Sequence, residues 1–154
     1  MAQVTELSVD EFYELQDRME NCTESERMDE ILKYFPTLKI RTSRMGESGK
    51  GANKYRVTVI NEGDQFTVTF TDSLYNTWKD KKSSKFEMLY SIIVDAQCYE
   101  QSRTFEEFCD SVCYDLEDKR ARKCYEGCRR TFENIERLFS YDGYEILNAI
   151  TFGY

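Results

Sequence analysis

Apolar positions recur with two different periods along this chain, and the places where the period changes mark out its elements. Phe12, Leu15 and Met19 fall three and four apart behind a Ser8 and Glu11 pair, with Gln16 on the same face. A Ser or Thr followed three residues later by Glu can satisfy two of the free amides at a helix start, so this spacing predicts a capped amphipathic helix. Thr23 and Glu26 repeat the device ahead of Met28, Ile31, Leu32 and Phe35, and Pro36 stops this second helix because it has no amide proton. Residues 38–42 look like a strand leading into Gly46-Glu47-Ser48-Gly49-Lys50-Gly51, whose glycine-rich polar run reads as a flexible loop. Tyr55, Val57 and Val59 then alternate with polar residues, Asn61-Glu62-Gly63-Asp64 interrupts, and Phe66, Val68 and Phe70 alternate again. Period two on both sides of a short turn predicts a β-hairpin over 54–71.

Beyond the hairpin the period becomes helical. Thr71-Asp72-Ser73 can cap a short turn running to Trp78, with a loop over 79–84. Ser84 and Glu87 open a helix with Phe86, Leu89, Ile92, Ile93 and Ala96 on one face. Thr104 and Glu107 open another, with Phe105, Phe108, Cys109 and Val112 facing inward. Tyr125, Cys128, Phe132, Ile135 and Phe139 predict a longer helix over about 117–139, and Tyr144, Leu147 and Ile150 a last short one. The order is helices over 1–35, a small antiparallel sheet over 36–71, then a helical half over 72–154. That order is an α+β fold, and 154 residues suit a single domain.

Composition narrows the chemistry. The chain has no histidine, which removes Ser-His and Cys-His nucleophile systems, histidine bases and every histidine-containing metal site. The carboxylate pair Glu106 and Glu107 sits at a helix start, where the dipole already explains it. Gly46-x-x-Gly49-Lys50-Gly51 has too few residues between its glycines for a P-loop, and no Ser or Thr after the lysine. The acidic start of the chain is the reverse of an export signal, and no apolar run approaches a membrane span, so a cytoplasmic protein is expected. A non-enzymatic protein without a cofactor is expected.

The net charge of −8 is unevenly placed: residues 1–35 carry −7, 36–60 carry +5, 84–118 carry −7 and 119–137 carry +4. Glu11, Glu14 and Asp17 are three apart, so a carboxylate recurs about every 4.5 Å along the helix axis. A row at that pitch can enter a basic groove built for phosphates. The candidate partner-binding residues are therefore Glu11, Glu14, Asp17, Glu20, Glu24 and Glu26, with Tyr13 adding contact area. Two further arrangements stand as alternatives. Lys39, Arg41, Arg44, Lys50, Lys54 and Arg56, with Tyr55 among them, form a basic segment that could bind nucleic acid directly. Cys109 with Cys113, and Cys124 with Cys128, each place two thiols on one helix face, and facing helices could assemble a four-cysteine zinc module.

The runs Tyr55-Arg56-Val57-Thr58-Val59, Phe66-Thr67-Val68-Thr69-Phe70-Thr71-Asp72-Ser73 and Asn76-Thr77, with Phe105-Glu106-Glu107-Phe108-Cys109 and Arg137-Leu138-Phe139, carry a likeness. Over about 55–139 the chain resembles a family of small proteins encoded by bacteriophages and conjugative elements. The resemblance implies a hairpin followed by helices and a mobile-element origin, and assigns no activity or site residue. Small acidic proteins of that origin are similar in character to anti-CRISPR proteins, which bind a Cas nuclease or guide complex and obstruct its DNA-binding channel. The expectation is thus an inhibitor that docks on a basic protein partner in a bacterial cytoplasm.

Overall fold

Capping chemistry sets where the helices begin. The computed structural model describes residues 6–47, 53–71, 84–112 and 114–152. Helices α1 (Val9–Met19) and α2 (Glu24–Tyr34) precede strands β1 (Lys39–Glu47), β2 (Asn53–Asn61) and β3 (Asp64–Thr71), and helices α3 (Lys85–Glu100), α4 (Phe105–Val112) and α5 (Lys119–Phe152) follow. The fold is α+β, in the predicted order. The capping boxes of Ser8 with Glu11, Thr23 with Glu26 and Ser84 with Glu87 are all formed. At α4 the box is displaced by one residue: Thr104 Oγ1 accepts from the Glu107 amide, while Glu107 accepts from the amide of Arg103 at 2.8 Å. The predicted turn before Trp78 and the loop after it lie outside the described residues.

The sheet is antiparallel in the order β1-β2-β3. Asn61 pairs with Asp64 across a two-residue turn, where Glu62 and Gly63 both have positive φ, at 52° and 79°. That handedness matches the twist of the flanking strands. Gly46 and Glu47, expected in a flexible loop, instead extend β1 and pair with Lys54 and Asn53 after a register shift between Arg44 and Gly46. The start of β2 supplies a backbone for them to pair with, and a bulge absorbs the mismatch. Ile40, Val57, Val59 and Phe66 are buried on one face of the sheet. On the other face Lys39, Arg41, Arg56, Thr67 and Thr69 are exposed.

Buried residues of α1, α2, α3, α5 and the sheet form one contiguous core, in which each large apolar side chain contributes about 1.5–3 kcal/mol. Helix α3 lies along α5, which also touches α1, α2, β2 and β3. Beside this core an aromatic chain runs from α4 to the end of α5. Phe105 and Phe108 meet Tyr125 edge-on at 5.4 and 5.1 Å, Tyr125 meets Tyr99, and Tyr99 passes the contact through Phe132 to Tyr144.

Helix α5 is broken at Ser140, whose φ of 68° and ψ of 169° leave the helical region. The sequence periodicity already separated a helix ending at Phe139 from a short one around Tyr144. Ser140 Oγ then accepts from the Gly143 amide at 3.1 Å and caps the second arm. Gly143 is required by crowding: a Cβ there would lie 2.9 Å from the Phe139 Cβ and 3.3 Å from the Phe35 ring. Asn61, at 1% exposure, bridges this break to the sheet. Its Nδ2 donates to the Leu138 carbonyl at 3.0 Å and its Oδ1 accepts from Thr37 Oγ1 at 3.0 Å.

Candidate functional site

Helix α1 turns Leu15 and Met19 into the core, which leaves Asp10, Glu14 and Asp17 on its outer side. These three are four and seven residues apart along one stripe, and none makes an ion pair with another described residue. The nearby cation Arg18 is engaged elsewhere, at 2.7 Å from the buried Glu30, which also meets Lys33 at 3.3 Å. Val9 and Tyr13 flank the acids and are 70% and 60% exposed. An exposed aromatic ring beside carboxylates without ion pairs to other described residues, on a capped helix, makes an acidic face.

The other predicted acids divide between roles. Glu11 and Glu26 are exposed but serve their capping boxes, where hydrogen bonds from the backbone of Ser8 and Thr23 hold their carboxyls below the ordinary value. Glu20 is the C-cap of α1. Glu24 stands in the first turn of α2 and lines a cleft there with residues of α3 and the end of α5. The acidic stripe is therefore Asp10, Glu14 and Asp17 with Tyr13, and Asp10 joins it only through helix geometry.

The basic segment lies on the sheet. Lys39, Arg41 and Arg56 project from the open face and make no ion pair with another described residue, and Thr58 and Thr67 share a hydroxyl contact of 3.0 Å beside them. Arg44, Lys54 and Tyr55 are in β1 and β2, with Arg44 opposite Tyr55, and Lys50 lies outside the described residues. The second basic block, 119–137, is largely absorbed by its neighbours. Arg120 meets Asp118 at 2.8 Å, Arg137 meets Asp64 at 3.0 Å, Arg129 pairs with Glu126, and the Arg122 guanidinium lies 3.9 Å over the Phe105 ring.

Two clefts flank α3. The larger, about 690 Å³, lies between β3, α3 and α5 and is lined by Thr67, Thr69, Asp95, Cys124, Cys128 and Arg130, among others. Asp95 is open to solvent at this cleft, yet protein crowds it enough that desolvation pushes its carboxyl from 3.8 up to about 6. A carboxyl raised on folding favours the folded state at low pH. Its contribution is complete below 3.8 and is lost as pH rises through about 6. Asp95→Asn is expected to raise the melting temperature slightly at neutral pH and leave it unchanged below the ordinary carboxylate value. An equal shift at both pH values, measured by circular dichroism, would contradict this assignment.

Cys124 lies close enough to Cys98, Cys109 and Cys128 to perturb each of their thiols. Desolvation pushes the thiols of Cys98, Cys109 and Cys128 up, and the Asp95 carboxylate adds to this at Cys98 and Cys128. These are poor conditions for a thiolate nucleophile. Pairing of α3 with α5 brings in Cys98, which no spacing in the sequence singles out, while Cys113 lies outside the described residues. Among the described residues no three Cys, Asp or Glu side chains are arranged to hold a metal ion. Among them, too, no helix is long and apolar enough to cross a membrane.

The smaller cleft, about 520 Å³, lies where the start of α2, the start of α3 and the end of α5 meet. Arg27 closes its base. Its Nη1 donates to the carbonyls of Ile150 and Thr151 at 2.9 and 2.8 Å, its Nε to the Cys22 carbonyl at 3.2 Å, and its Nη2 to the Glu20 carbonyl at 3.5 Å. No family model, no curated protein and no solved structure matches this chain.

Proposed function

We propose that this protein is a non-enzymatic inhibitor that docks the outer face of α1 on a basic, nucleic-acid-binding partner. A Cas nuclease or guide complex in a bacterial cytoplasm is the partner class, and obstruction of its DNA-binding channel is the effect. The observation that carries this reading is the composition of the α1 face. Asp10, Glu14 and Asp17 make no ion pair with another described residue, and Tyr13 and Val9 are exposed among them. Asp10 is favoured by its place in the first turn of α1, but Glu14 and Asp17, three apart beyond it, repel each other and do nothing for the helix. A groove that binds phosphates offers the complementary surface, and the mobile-element origin that the resemblance over 55–139 implies is a setting in which such an inhibitor would act.

The test is capture from a bacterial lysate on the immobilised full chain, beside a Glu14→Lys, Asp17→Lys double variant. Reversing two exposed charges at a complementary interface is expected to weaken partner binding by about tenfold or more, and binding should fall steeply with salt. Salt-independent capture, or equal capture by the variant, would overturn the reading.

One observation favours a second reading. Lys39, Arg41 and Arg56 on the open sheet face, beside the hydroxyls of Thr58 and Thr67, suit contacts to a phosphate backbone in a nucleic-acid-binding accessory protein. A gel shift with DNA and RNA that is abolished by Arg41→Glu would favour it over docking by α1.

A further inference from the structure

The cleft between α2, α3 and the end of α5 combines features that the acidic face of α1 does not share. Tyr90 is 41% exposed and stands 5.0 Å from the Phe152 ring at an interplanar angle of 56°, and 6.5 Å from the Phe86 ring. All three residues are in the lining of the cleft. Glu24 also lines the cleft, is exposed, and makes no ion pair with another described residue. Thr151 lines it from the end of α5. This residue is 3% exposed, and its hydroxyl has no hydrogen-bond partner among the described residues.

An unpartnered buried hydroxyl, a carboxylate and the faces of aromatic rings favour a cation that also donates hydrogen bonds. The cleft contains one cation of its own, Arg27, but four backbone carbonyls take up its donors. It is poorly placed to hold an anion. Glu87, also in the lining, has its carboxylate committed to the Ser84 amide. The lining thus carries Glu24 and Glu87 against Arg27, a net negative charge, and Glu24 is the carboxylate not held by a cap.

We propose that this cleft is a receptor for an arginine side chain of the partner protein, with the guanidinium against the Tyr90 ring, its charge met by Glu24 and one of its N–H groups by Thr151. Guanidinium is favoured over ammonium because it is planar, weakly hydrated and stacks on aromatic faces. The inference rests on the reading of a basic partner and names the side chain that the partner supplies.

The experiment is an amide-resolved NMR titration of the full chain with N-acetyl-arginine methylamide, its uncharged citrulline counterpart and N-acetyl-glutamate methylamide. The arginine probe is expected to shift the amides of Tyr90, Thr151 and Phe152, and the citrulline probe to bind about fivefold more weakly. Tyr90→Leu, at a half-exposed position, should weaken the arginine probe by about the same factor with the melting temperature unchanged. Glu24→Gln should weaken it as well. No saturable shift at these amides, equal binding of citrulline, preference for the glutamate probe, or an unaltered Tyr90→Leu response would each overturn the proposal. Its failure is separable from that of the α1 face. Partner capture lost in the Glu14 and Asp17 variant with no arginine response refutes the cleft alone, and the converse refutes the α1 face alone.

Discussion

Arg27→Ala is expected to be among the most destabilising single changes in this protein, lowering stability by about 3 kcal/mol and the melting temperature by roughly 6–12 °C. The guanidinium ties together segments at opposite ends of the chain. It holds the final carbonyls of α5, at Ile150 and Thr151, and the carbonyls of Glu20 and Cys22 that follow α1. Ile150 and Thr151 are buried, so alanine would leave their carbonyls without a partner and remove a positive charge from a helix C-terminus. Arg27→Lys keeps the charge but not the fork, and should recover less than half of the loss. Chemical denaturation of the three proteins measures this. Equal stability of wild type and Arg27→Ala would show that the carbonyls find other partners, and would remove Arg27 as the joint between the terminal segments.

Asn61→Asp should have a comparable effect, about 3 kcal/mol at neutral pH, although the two side chains have the same shape. The asparagine Nδ2 donates to the Leu138 carbonyl, two residues before the break in α5, where an unbroken helix would have supplied the amide of residue 142. Aspartate would bring a charged acceptor against that carbonyl in a buried site. A protonated aspartate regains a donor, so the sign of the pH effect is fixed. The variant carboxyl is raised on folding, and the deficit relative to wild type should shrink as pH falls through that raised value. Asn61→Ala loses the donor without gaining a charge and should show no such recovery. Urea denaturation at neutral and acidic pH separates the two variants, and parallel pH profiles would contradict the assigned role of the Leu138 carbonyl.

Both residues show why parts of this molecule were not legible in the sequence. Arg27 reads as one basic residue in an acidic helix, and Asn61 as the first residue of a turn. Their partners are 123 and 77 residues away, in the two arms of α5, and no local pattern names those partners. The acidic stripe is partly legible. Spacing alone placed Glu14 and Asp17 together and marked Glu11 and Glu26 as cap residues, but only the folded chain shows Asp10 on the same outer stripe, free of ion pairs among the described residues. Nor could it move Glu24 away from α1 to a cleft beside Tyr90 and Phe152, since that depends on how α2, α3 and α5 come together.

What the sequence by itself determined are the features set by neighbours within about four residues. These are the capping boxes at Ser8, Thr23 and Ser84, the alternation of Val57 and Val59 with Phe66 and Val68, the turn at Glu62 and Gly63, and the inward faces of α3 and α5. Their energetics is local, so their pattern is written in order along the chain. Tertiary structure alone decided the third strand pairing with its bulge near Arg44, the gathering of Cys98 with Cys124 and Cys128, and the cleft closed by Arg27. Each depends on contacts between surfaces that are far apart in sequence and become neighbours only when the core is buried, and no local period records which surfaces those will be.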